Sequence, residues 1–152
     1  MLAAAEYADA DGRTFLAALA VAYQVQARLS DEAPVRARGF DHTTQGAFAI
    51  GAGVARALGL DLPHAANAIA LSAVGNIALR VTRTGSLSHW KGLADPNAAF
   101  VATHAAFLAM RGITGPLDIF AGNKGFKDSV SGPFHIDWGR EDLERVTRPV
   151  TK

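Results

Sequence analysis

Apolar residues recur at helical spacing along most of the chain. Asp11 reads as an N-cap, and from Gly12 to Leu29 the residues Phe15, Leu16, Leu19, Tyr23 and Gln26 fall on one face. Ala18, Ala22, Val25 and Leu29 widen that face, which predicts a helix buried on two sides. Met1 to Ala8 reads as the end of a helix without a start signal. A third helix is predicted from Thr43 to Leu58, stopped by Gly59. Asp61 caps a fourth, with Pro63 in its first turn, running to about Leu79. A fifth runs from about Pro96 to Arg111 and ends at Gly112. No segment alternates as a strand would. The pattern predicts an all-α, multi-helix bundle-like domain.

The connections are as informative as the helices. Asp31 to Phe40 reads as a loop. Arg80 to Asp95 has no helical period, and long connections inside compact domains often carry function. Leu117 to Phe120 predicts a short helical turn. From Gly122 the chain becomes a turn-rich tail to Lys152, with one exposed turn expected at Glu141 to Val146. Gly46, Gly51 and Gly53 lie inside the third helix, where glycine marks a close neighbour or ligand. They follow no strand, so they are not a dinucleotide loop.

Composition sharpens this picture. The 152 residues suit one domain and include 31 alanines, 49% hydrophobic residues and 19% charged residues. So much alanine favours closely packed helices. Fifteen Lys and Arg stand against fourteen Asp and Glu, giving a net charge of +1. The Arg36/Arg38 and Arg80/Arg83 pairs are too short to form a nucleic-acid stripe. There is no cysteine, which excludes disulfides, thiolate metal sites and a Cys nucleophile within these residues. The N-terminal residues lack a basic signal region, and no clean apolar run of membrane length occurs. A cytoplasmic protein without membrane or nucleic-acid partners is the expectation.

The five histidines show no metal-binding spacing. His42 falls at a predicted helix N-terminus. That position attracts anions and disfavours imidazolium, which suits a proton acceptor; it equally suits a capping or solvent-exposed residue. Lys91, between Trp90 and Gly92, is either a surface cation beside a ring or a carboxylate anchor. His89 reads the same way. His104, amid apolar residues, is expected in the core. Asn123-Lys124-Gly125 reads as a plain turn in preference to an anion nest.

Together these segments resemble the MmgE/PrpD family, whose members include 2-methylcitrate dehydratase, cis-aconitate decarboxylase and related enzymes of small polycarboxylic acids. The resemblance rests on Arg38-Gly39-Phe40-Asp41-His42-Thr43-Thr44-Gln45-Gly46 and Gly51-Ala52-Gly53-Val54-Ala55-Arg56-Ala57-Leu58-Gly59-Leu60. It continues through Gly85-Ser86-Leu87-Ser88-His89-Trp90-Lys91-Gly92, Asn97-Ala98-Ala99, Met110 to Pro116 and Gly122 to Phe126. The ordered set is far more specific than any one motif. Ser88-His89-Trp90-Lys91 is most similar to the 2-methylcitrate dehydratase branch, which implies a hydro-lyase of a small tricarboxylic acid in propionate catabolism.

The resemblance implies a helical domain paired with a smaller lid domain, the site lying between them. It implies that His42 and Lys91 are catalytic, with Thr43, Ser88 and His89 binding substrate around them. Which of the two moves the proton stays open. It implies no metal or other cofactor, and a homodimer. Family enzymes are about three times as long, so the chain reads as a fragment of the helical domain without the lid, inactive alone or completed by a complementing chain. The alternative is a non-catalytic helical binding or assembly module. Phe100 stands where many members carry Arg.

Overall fold

The computed structural model describes residues 1–139 and 144–147, and among them the chain is all-α. The helices are α1 (Leu2–Tyr7), α2 (Gly12–Glu32), α3 (Thr43–Ala57), α4 (Leu62–Val74) and α5 (Trp90–Met110). Short 3-10 turns lie at Arg36–Arg38, Arg80–Arg83 and Glu144–Thr147, and a π turn at Lys127–Ser131. Asp11 caps α2 by accepting the Thr14 N–H at 2.7 Å, and Asp61 caps α4 by accepting that of His64 at 3.1 Å. Both carboxyls are held below their ordinary pKa, chiefly by these backbone bonds.

The central element is α3, wrapped by α2, α4 and α5 and buried along nearly its whole length. Its glycines explain the tight packing. A Cβ on Gly53 would stand 2.9 Å from the Ala22 Cβ and 3.0 Å from the Ala18 carbonyl oxygen; one on Gly51 would stand 2.6 Å from the Ser72 hydroxyl. Both positions therefore exclude a side chain unless a neighbouring helix moves. One end of the core is mostly alanine, with Val54 between Ala18, Ala55, Ala68 and Ala106. The other end is aromatic. Phe48 stacks on Phe120 at 4.6 Å and meets Phe126 edge-on at 5.0 Å.

Four sequence expectations change. On α2 the buried residues include Ala18, Ala22, Ala27 and Leu29, while Leu16 and Tyr23 face outward. The small residues take the inner face because only they fit against Gly53. Helix α4 ends at Val74, short of Leu79, because the next backbone groups pair elsewhere. The Asp41 N–H donates to the Ala78 carbonyl at 2.8 Å and the Arg80 N–H to that of Gly39 at 2.9 Å. The Thr44 hydroxyl exchanges hydrogen bonds with both backbone groups of Ala78. Helix α5 begins at Trp90 and not near Pro96, which lies inside it. That proline forfeits one bond to the Gly92 carbonyl, but burial of Ala94 holds the first turns in place. His104 is exposed, not in the core.

The remaining features are local. Gln45 is buried, and its side-chain amide donates to the Leu29 and Ala33 carbonyls, both at 2.7 Å. It thereby closes the end of α2. Leu117 to Phe120 forms a turn. Lys124 adopts a left-handed conformation with its N–H donating to Asp128, so this segment is a plain turn. The expected turn at Glu141 to Val146 lies partly outside the described residues. No described helix is long and apolar enough to cross a membrane.

Candidate functional site

The pairing between residues 39–44 and 78–80 has a consequence for side chains. It delivers Arg83 to the start of α3. Asp41, whose side chain is fully buried, accepts the Thr43 N–H at 3.1 Å and the Arg83 Nε–H at 2.7 Å. Its Oδ1 also lies 2.8 Å from His42 Nδ1, off the hydrogen-bonding line, so that contact is electrostatic. The other edge of the ring meets α5, where His42 Nε2 lies 3.4 Å from Asp95 Oδ1. Arg83 closes the loop by donating from Nη2 to Asp95 Oδ2 at 2.8 Å. Four side chains from three segments thus form one ring of contacts.

Burial pushes the Asp41 carboxyl up. The Thr43 N–H, the neighbouring His42 and the Arg83 guanidinium outweigh it and hold the carboxyl below its ordinary value. Burial likewise disfavours the charged form of Arg83, but Asp95 and Asp41 more than compensate and raise its pKa. Asp41 is therefore an ionised anchor, and Arg83 a cation committed to two carboxylates.

His42 opens onto a cleft of about 440 Å³. Ala22, Gly46, Ala49 and Ile50 line its apolar part; Tyr23, Gln26, Ser30, Arg36 and Asp95 supply polar groups. Gly46, unlike Gly51 and Gly53, would bring a Cβ only to 3.7 Å from the Gln26 side chain. Its missing side chain leaves space in the cleft. A second hollow of about 240 Å³ shares Ser30, Arg36 and His42 with the first. Among the described residues neither Arg36 nor Lys91 is in an ion pair.

The structure divides the sequence candidates. His42 lies at the cleft. Lys91 is exposed in the first turn of α5, four residues before Asp95, and so shares a helix face with the carboxylate that touches His42. Ser88 and His89 are exposed just ahead of α5 and, like Lys91, line neither hollow around His42. Thr43 points the other way. It lines a separate hollow of about 400 Å³ with Asn76, Trp90 and Asn97, where its buried hydroxyl meets no partner among the described residues.

Residues 1–139 match the family model of the MmgE/PrpD N-terminal domain. The chain belongs to the MmgE/PrpD family. The match spans all five helices and every residue of the His42 cluster. In this MmgE/PrpD domain, sequence reasoning missed Asp41, Arg83, Asp95 and Arg36. Asp41 and Asp95 adjoin features already singled out, namely His42 and Pro96. Nothing local, however, says that Arg83 reaches back across 42 residues. Among the described residues no group of three or more His, Asp or Glu is placed to hold a metal ion.

Proposed function

We propose that this domain forms the carboxylate-binding, proton-transferring wall of a hydro-lyase resembling 2-methylcitrate dehydratase. One observation carries the reading: His42, braced by buried Asp41, faces a cleft with an uncommitted arginine at its edge. Arg36 and Lys91 supply positive charge for a polycarboxylate. His42 Nε2 takes the proton next to a substrate carboxylate, with Nδ1 turned toward Asp41. The electron pair of that C–H bond becomes the new C=C bond as the C–O bond breaks. The departing hydroxyl takes a proton from solvent and leaves as water. Lys91 stabilises the charge that builds up on the carboxylate.

Binding by the purified chain tests the reading directly. Citrate or 2-methylcitrate is expected to raise the melting temperature, with stabilisation reaching about 2.7 kcal/mol near 100-fold over Kd. Acetate should have far less effect, and Arg36→Ala should weaken the response. A melting temperature indifferent to every tricarboxylate, in the wild type and in Asp95→Asn alike, would remove the basis for the proposal.

A second reading, an assembly module, has its own support. Leu93 and Phe100, seven residues apart on α5, are 52% and 73% exposed, with Leu87 and Trp90 close by in the chain and also open. Apolar surface of this kind favours association, and we propose a second copy of the chain as the partner. Light scattering should report a dimer or larger; a monodisperse monomer across the concentration range would contradict it. The two readings are compatible, since the His42 cleft and these α5 residues are different surfaces.

A further inference from the structure

The contact between Asp95 and the His42–Arg83 pair is not explained by packing. Asp95 is 60% exposed, yet its two oxygens are divided between two nitrogens: Oδ1 toward His42 Nε2 and Oδ2 on Arg83 Nη2. That is the fork a free carboxylate would find. Both nitrogens come from side chains fixed from behind, since Asp41 accepts from Arg83 Nε and sits against His42 Nδ1. A group held this firmly on one edge presents its other edge at constant spacing. Asp95 and His42 both line the same cleft and Arg83 does not, so a ligand carboxylate reaches Arg83 only at the place where Asp95 now stands.

We infer that Arg83 Nη2 takes a ligand carboxylate at the position Asp95 now fills, beside a His42 Nε2 left free for the neighbouring proton, and that Asp95 occupies this subsite in the unliganded domain as a built-in competitor. The inference rests on the carboxylate reading proposed above and adds which groups take the carboxylate and what must leave. The two aspartates of the cluster differ in a way that fits these roles. Asp41 is wholly buried, accepts two hydrogen bonds and cannot leave without stranding Arg83. Asp95 is mostly in water, where an ion pair is weak and exchanges readily. A polycarboxylate, with several charges and further contacts to Arg36, outcompetes it. A monocarboxylate gains too little.

The backbone around Asp95 suits such an exchange. Asp95 precedes Pro96, a position where the helical conformation is disfavoured, and the Gly92 carbonyl receives no N–H from residue 96. Lys91, Gly92 and Leu93 are exposed, while Ala94 anchors the turn. Displacement therefore needs a rotation of the Asp95 side chain and no loss of core.

Isothermal titration of citrate into the wild-type chain, Asp95→Asn and Asp118→Asn tests this. Asp118 is an exposed acid outside the His42 cleft and controls for simple loss of negative charge. Asp95→Asn is expected to bind about tenfold more tightly than wild type, with Asp118→Asn close to wild type. Binding by Asp95→Asn alone would give the same support. Equal or weaker binding by Asp95→Asn, with wild type still binding, would overturn the competitor while leaving the carboxylate reading intact. Equal tightening in both variants would reduce the effect to net charge and overturn it too. Absence of binding in all three would sink the carboxylate reading and this inference with it. Asp95→Ala, checked for helicity by circular dichroism, guards against an asparagine that keeps the Arg83 bond.

Discussion

Asp41→Ala is expected to cost the domain about 3 kcal/mol of stability, because it leaves Arg83 without its buried partner. For a chain of this size that corresponds to a fall in melting temperature of roughly 6–12 °C. The substitution also removes the acceptor for the Thr43 N–H at the start of α3 and the brace behind His42. Urea unfolding monitored by circular dichroism measures the loss, and a change below about 1 kcal/mol would show that Asp41 does not hold the cluster. The pH dependence has a definite sign. The folded carboxyl titrates below its ordinary value of 3.8, so its contribution is fully present above about pH 4. It fades as pH falls through the lowered value. The gap between wild type and Asp41→Ala should accordingly narrow as the pH falls below about 4.

His42→Ala should do the opposite, sparing the fold and removing chemistry. The His42 side chain is 31% exposed and makes no capping hydrogen bond to α3, so the urea midpoint should move little. In an active enzyme carrying this domain, kcat for dehydration of 2-methylcitrate is expected to fall at least tenfold, within reach of the roughly 10²–10⁴-fold carried by a positioned acid–base group. Lys91→Ala should also lower kcat at least tenfold while leaving stability unchanged, since Lys91 is exposed. The readout is the absorbance of the new conjugated double bond. Near-normal turnover in His42→Ala would remove it from the proton-transfer role. Comparing His42→Ala with Asp41→Ala separates the chemical group from its brace: the first should lose activity with its fold intact, the second should lose both.

Much of the architecture was legible in the amino-acid sequence. Asp11 and Asp61 announce helix starts through their own side chains, and Gly59 and Gly112 announce helix ends through left-handed backbone. These are interactions within a few residues, which a linear reading can weigh. Alanine content and the glycines at 51 and 53 told of close helix approach because no bulky side chain can occupy those contacts. The family resemblance was legible for the same reason: the motifs are short, local and in order.

Only the folded chain decided what depended on distant partners. The apolar run past Val74 reads as continuing helix, yet its backbone is used to bind residues 39–44. The start of α5 depends on Ala94 finding a core, which no rule about Pro96 contains. Leu16 and Tyr23 look like an inner face, but the close approach of α2 to Gly53 leaves room there only for alanine. The site shows the same division. His42 and Lys91 stand out in the sequence because of their immediate neighbours. Asp41, Arg83 and Asp95 are ordinary charged residues until a backbone pairing across 37 residues, that of the Asp41 N–H with the Ala78 carbonyl, brings them together. Local chemistry determined which helices form and which histidine and lysine to examine. Long-range pairing of backbone and charge decided where the helices end, and which carboxylates hold the histidine in place.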